Sequence, residues 1–211
     1  MIITMIFHPG GKIAPEQLEQ MIRLSIGVHS LALLSIPVLL LGAWGMSRRL
    51  DLGERLAWAG LVLFGLASVT VMIAGTLNGL VAPGLMRKIV ATTAETREIW
   101  QAMLSYNFQV NQAFARVYSV GASLAILLWS VAILRYRTLG MGAAIYGIVL
   151  GVVTAAGIGS GLLTPDRHGF AILIFGQAIW FLLVAGGMWG LGARVAKEGG
   201  ASPSPKGASA I

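Results

Sequence analysis

Cysteine is absent from the 211 residues of the chain, which excludes disulfides, thiolate metal sites and thiol nucleophiles. Charge is scarce as well. Only 11% of residues are Asp, Glu, Lys or Arg, against 56% hydrophobic, too little polar surface to coat a water-soluble globule. Acidic residues are the scarcer sign, 8 against 15 Lys and Arg, and none falls inside the long apolar stretches. Proton- or sodium-coupled transport usually uses a carboxylate near the membrane midplane, so that class is disfavoured. Also missing are a phosphate-cradling loop ending in Gly-Lys-Ser or Gly-Lys-Thr, the strand pattern of a dinucleotide fold, a Gly-x-Ser-x-Gly elbow and a His-Glu-x-x-His ligand pair.

What is present is five apolar stretches, centred near Ser35, Leu66, Ala125, Val152 and Leu182. Each runs for about 20 residues or more, the length an α-helix needs to cross a hydrocarbon core at 1.5 Å rise per residue. The chain is therefore expected to be an all-α integral membrane helical bundle, with one membrane domain over 24–195. Its spans are expected at about 24–46, 56–78, 113–134, 140–163 and 169–193.

Three further segments complete the expected organisation. Residues 1–23 form a lead-in, with a short interfacial helix opened by Pro15 and carrying Glu16 and Glu19 in its first turns. Asn78, Gly79, Pro83 and Gly84 are a breaker cluster that should end the second span. From about 85 to 112, Leu85, Ile89, Ile99, Met103, Tyr106 and Val110 recur at helical spacing among polar residues. This is expected to be an extramembrane amphipathic segment, its last part continuous with the third span from about Thr96 to Leu134. The Gly-, Ser-, Pro- and Ala-rich residues 196–211 have no apolar face to bury and are expected to be a disordered tail. No period of 20 to 50 residues recurs, and an odd number of spans fits poorly with two equal halves.

The net charge of +7 points to anionic lipid rather than nucleic acid, because the cations are scattered between spans with no basic run interleaved with aromatics. One side would carry Arg48, Arg49, Arg55, Arg135, Arg137, Arg194, Lys197 and Lys206, and the other Lys12, Arg23, Arg87, Lys88, Arg97, Arg116 and Arg167. The counts are nearly even, but the first side packs its cations into short linkers hard against span ends, where the positive-inside bias acts. That places the N-terminus outside and the C-terminus in the cytoplasm, and the size and texture fit a bacterial inner membrane. Trp44, Trp58, Tyr136 and Trp189 would form an inner aromatic belt, and Trp100, Tyr106 and Tyr118 an outer one.

Two constellations stand out. In the fourth span Ala143, Gly147, Gly151, Ala155 and Gly159 repeat every four residues, leaving a helix face with almost no side chain. A neighbouring span should pack there; self-association or another membrane subunit is the alternative partner. On the expected outer side gather His8, His29, Asn78, Asn107, Gln109, Asn111, Gln112, Arg116, Asp166, Arg167 and His168. Polar groups near hydrocarbon are expensive unless paired, so the gathering hints at a shared site.

Within it, His29 and His168 carry imidazoles suited to a metal ion or to haem iron, with His8 as a third ligand. Arg116 can pair with Asp166, or with Asn111 and Gln112 hold an anionic ligand or lipid headgroup. Thr164, Pro165 and Asp166 read as an ordinary helix start. The expectation for function is a non-enzymatic membrane protein, an accessory subunit or a small-ligand binder. The rivals are a haem- or metal-binding redox protein using His29 and His168, and a channel or carrier with an outer polar vestibule.

Overall fold

A computed structural model of the protein describes residues 17–50, 55–137, 139–163 and 167–199. His8, Thr164, Pro165, Asp166, the side chain of His168 and the residues 200–211 lie outside what it describes. The described residues are helical, without a strand, and five of the helices are long and apolar enough to cross a membrane.

The helices are α1 (Leu18–Arg49), α2 (Arg55–Thr76), α3 (Ala82–Ala91), α4 (Ala94–Tyr136), α5 (Met141–Gly159) and α6 (Arg167–Gly199), with a π-helical turn over Leu77–Val81 joining α2 to α3. α4 is the central element, packed between α2 and α5, while α1 lies against α2 and α6 against α5 and α4. α1 is the most peripheral, and Leu31, Leu34, Val38 and Leu41 along it are open to the surroundings. It passes through Pro37 without a break.

Short linkers keep one end of the bundle level. α1 closes at Arg49 and α2 opens at Arg55; α4 closes at Tyr136 and α5 opens at Met141. We refer to this as the arginine end, and to the opposite one as the histidine end. Because those linkers hold α1, α2, α4 and α5 level at the arginine end, excess length in α2 and α4 must emerge at the other. α4 has 43 residues, about 65 Å at 1.5 Å per residue, roughly twice the 30 Å of a hydrocarbon core.

The breaker cluster does not end the second helix. Pro83 has no N–H to donate to the carbonyl of Gly79 and its ring crowds that carbonyl; the chain answers by widening one turn, not by stopping. In this π-turn the Ala82 N–H donates to Leu77 O. The helix continues to Ala91, and the break comes at Thr92 and Thr93, both extended. α3 then folds back along α4, with Lys88 Nζ 4.2 Å from the Trp100 ring centroid. It is tied to α1 by a two-pronged pair, Arg87 Nε and Nη2 each donating to a Glu19 carboxylate oxygen at 2.9 Å.

The core at the arginine end is built on two indoles. Trp129 of α4 and Trp180 of α6 are fully buried and stacked, ring centroids 5.8 Å apart and planes 12° from parallel. Trp129 Nε1 donates to both Ser47 Oγ of α1 and Ala57 O of α2, each at 3.0 Å. Trp180 Nε1 donates to Ser130 Oγ of α4 and Ala143 O of α5, each at 3.1 Å. Phe64 and Phe181 close around them.

Each ring lies on a glycine. A Cβ on Gly60 would stand 2.9 Å from Trp129 Nε1, and one on Gly147 would overlap Ser130 Oγ and Trp180 Nε1. The four-residue glycine face of α5 is thus used within the chain along part of its length. Ala143 and Gly147 receive Trp180, and Gly151 meets the Ser123 carbonyl and Leu127 of α4. Ala155 is half-buried, and Gly159 faces open space.

The same face therefore predicts two opposite outcomes. Gly147→Val should lower stability by about 3 kcal/mol, the upper range for overpacking a core, whereas Gly159→Val should leave it unchanged. Thermal unfolding of the two variants in one detergent checks this, and equal midpoints would contradict the packing described.

Candidate functional site

Polar residues at the histidine end fall into two sets that use different faces of α4. The inward set centres on His29, 8% exposed in the part of α1 toward the histidine end. Its Nδ1 lies 2.8 Å from Ser25 O and its Nε2 lies 3.2 Å from Asn78 Nδ2. A carbonyl can only accept, so Nδ1 carries the proton and Nε2 accepts from the Asn78 amide. The imidazole rests on the π-turn: a Cβ on Gly79 would overlap His29 Cβ and Cγ. Asn107, on the facing side of α4 and 6% exposed, donates to Leu77 O at 3.1 Å. That carbonyl also receives Ala82 N–H, so the widened turn is fastened from α1 on one side and α4 on the other.

The nitrogen of His29 free to ligate a metal ion or haem iron would be Nε2, and in this arrangement it accepts from the Asn78 amide. Among the described residues no three His, Cys, Asp or Glu side chains come together to hold a metal. The second histidine of the expected pair, His168, has its side chain outside the described residues, as do His8 and Asp166.

The outward set is a ladder on α4. Ser105, Gln109, Gln112 and Arg116 follow one another at spacings of four, three and four residues, so they share one helix face. With Phe108 and Ala113 they line a groove of about 390 Å³. Lower on α4 this side is covered by α5, with Gly151 on Ser123 and Gly147 on Ser130. The antiparallel register set by those contacts brings Arg116 level with the end of α5 near Ser160. Above that level α5 is absent, and the polar face is left uncovered by the described residues.

Of the expected site residues, Gln112 and Arg116 meet in this groove. Asn111, half-buried, points about 100° around the helix from Gln112, toward the side on which Asn107 and Tyr118 are buried. It is not among the groove residues. His29 belongs to the inward set, separate from the groove.

The sequence pattern does not single out Ser105 or Gln177, and it misplaces Tyr118. Ser105 carried no signal beyond its position one turn from Gln109. Tyr118 was assigned to the outer aromatic belt, yet it is 3% exposed and packs on Phe170 of α6, ring centroids 5.9 Å apart. Its hydroxyl donates to Gln177 Oε1 at 2.7 Å. Gln177, buried at 3% exposure, is the lone amide in the fifth apolar stretch. That was the signal that could have found it, since an amide in hydrocarbon needs a partner. Its Nε2 has no hydrogen-bond partner among the described residues.

No family model, curated protein or solved structure matches the chain.

The fit of His29 against Gly79 yields a test of the inward set. Gly79→Ala should destabilise the protein by about 2 kcal/mol through overpacking, and His29→Gly, which removes both the Cβ and the Cγ that the new methyl would overlap, should recover about 1 kcal/mol of that loss. The thermodynamic cycle over the four proteins measures this coupling; strictly additive effects would show that the two residues do not touch.

Proposed function

We propose that the protein is a non-enzymatic ligand-binding protein of a bacterial inner membrane, holding the anionic part of a small ligand in the groove at the histidine end of α4. The ladder of Ser105, Gln109, Gln112 and Arg116 carries this reading. It supplies one cation and three neutral hydrogen-bonding side chains in a row, and none of the described residues that line the groove is a carboxylate. Arg is suited to phosphate and carboxylate groups, which accept two parallel N–H donors from its planar fork.

The orientation proposed is histidine end outside, arginine end in the cytoplasm. Arg48, Arg49, Arg55, Arg135 and Arg137 stand immediately beside span ends in short linkers, where cationic side chains favour retention on the cytoplasmic side.

The rival readings have less behind them. A redox or metal role through His29 and His168 must first displace Asn78 from His29 Nε2. Conduction along the bundle axis is opposed at the arginine end, where Trp129, Trp180, Phe64 and Phe181 fill the space between helices.

Glycerol 3-phosphate, a soluble phosphate ester, serves as the probe. Its binding to the detergent-purified full chain, read by calorimetry, should weaken about tenfold in Arg116→Gln, as expected for loss of hydrogen bonds to a charged group. It should be unaffected in Arg97→Gln, whose cation lies higher on α4. Equal loss in both variants would reduce the effect to general charge attraction and sink the reading.

A further inference from the structure

We infer that the ligand of the α4 groove is a net-anionic glycerophospholipid of the adjoining leaflet, its phosphate on Arg116 and its head-group hydroxyls on Gln112 and Gln109; this rests on the ligand-binding reading above. Depth is the first argument. From Arg116 to Tyr136, the last residue of α4, the helix rises about 30 Å at 1.5 Å per residue, one hydrocarbon thickness. The guanidinium therefore stands at the level of lipid phosphates when the arginine end is at the opposite surface. Gln112, Gln109 and Ser105 then climb away from the hydrocarbon through the head-group layer.

The second argument is what lies at and below the groove. Below Ala113, on the edge of the groove about 100° around α4 from Arg116, Val117 is 55% exposed and Leu124 two turns further on is also open, giving acyl chains an apolar surface beside and beneath the polar ladder. At the same level as Arg116, past the end of α5, Leu162 is 86% exposed and Leu163 is open as well. Large apolar side chains so exposed at a helix end suit contact with lipid. A ligand that is anionic at one level and apolar immediately beneath it matches both surfaces; a free anion matches only one.

Head-group charge follows from the lining. Among the described residues the groove offers a guanidinium, two amides and a hydroxyl, with no carboxylate to receive an ammonium group. A head group ending in an alcohol satisfies these groups, whereas choline or ethanolamine would bring a second cation beside Arg116 without a counter-charge. Arg116 is also positioned to keep its stem along the helix and its charge at the interface.

The test uses the full chain in nanodiscs of phosphatidylcholine doped with phosphatidylglycerol, lipid binding being read by native mass spectrometry after release, beside glycerol 3-phosphate binding by calorimetry. The expected result is retention of phosphatidylglycerol over phosphatidylcholine at equal mole fraction, with the excess reduced about tenfold in Arg116→Gln and unchanged in Arg97→Gln. Phosphatidylglycerol should bind at least about tenfold more tightly than glycerol 3-phosphate, as burial of a few methylene groups requires. If glycerol 3-phosphate binds through Arg116 as tightly as the lipid, the lipid assignment fails and the ligand-binding reading stands. If neither binds, both fail. Lipid retention that persists in Arg116→Gln, or that does not distinguish the two head groups, also overturns the assignment.

Discussion

An indole N–H buried in hydrocarbon has no water to bond, so a neighbouring helix must accept from it. Trp129 and Trp180 turn that requirement into the organising contact of the bundle. Trp129 belongs to α4 and is answered by α1 and α2; Trp180 belongs to α6 and is answered by α4 and α5. Every long helix is therefore either a donor of one of these bonds or an acceptor, and the stacked rings hold the two groups of helices together. Gly60 and Gly147 make the arrangement possible, since only a residue without a side chain lets a ring lie against the backbone carrying the acceptor.

With the arginine end drawn tight, the character of the histidine end follows from length. α4 and the α2–α3 pair outrun the membrane on that side, so backbone and polar side chains there emerge into a wetter layer. Their burial then separates two roles. His29, Asn78 and Asn107 are turned inward and bonded, and they fasten a widened helical turn. Gln112 and Arg116 are turned outward over the end of the shorter α5 and line the open groove. The sets are neighbours on the same helix, but one serves the fold.

The sequence made the spans readable because hydrocarbon thickness imposes a length that few soluble helices match. Ala143, Gly147 and Gly151 were legible as a packing face for the same kind of reason, their four-residue spacing being a property of the helix itself. What was not legible depended on partners far along the chain. Asn78, Gly79 and Pro83 are strong local stop signals, but His29 from α1 and Asn107 from α4 stabilise a π-turn that carries the helix through them. Tyr118 near the end of an apolar run has the placement of a belt residue, and only the position of α6 shows it turned inward. Gln112 and Arg116 could be placed on one face from their four-residue separation. Asn111, adjacent to Gln112 in sequence, could not join them on a regular helix.

Trp129 and Ser130 are consecutive residues with opposite duties, and that adjacency links the five long helices of the described residues. Trp129 is the ring of one socket, made with a serine near the end of α1 and a glycine near the start of α2; Ser130 is the serine of the next, made with a glycine of α5 and the ring of α6. The glycines open similar tetrapeptides, Gly-Leu-Val-Leu at 60–63 and Gly-Ile-Val-Leu at 147–150. Two three-helix units of the same plan thus overlap by one member, with α4 closing the first and opening the second. An odd count, awkward for two separate halves, is what two such units produce when they share a helix.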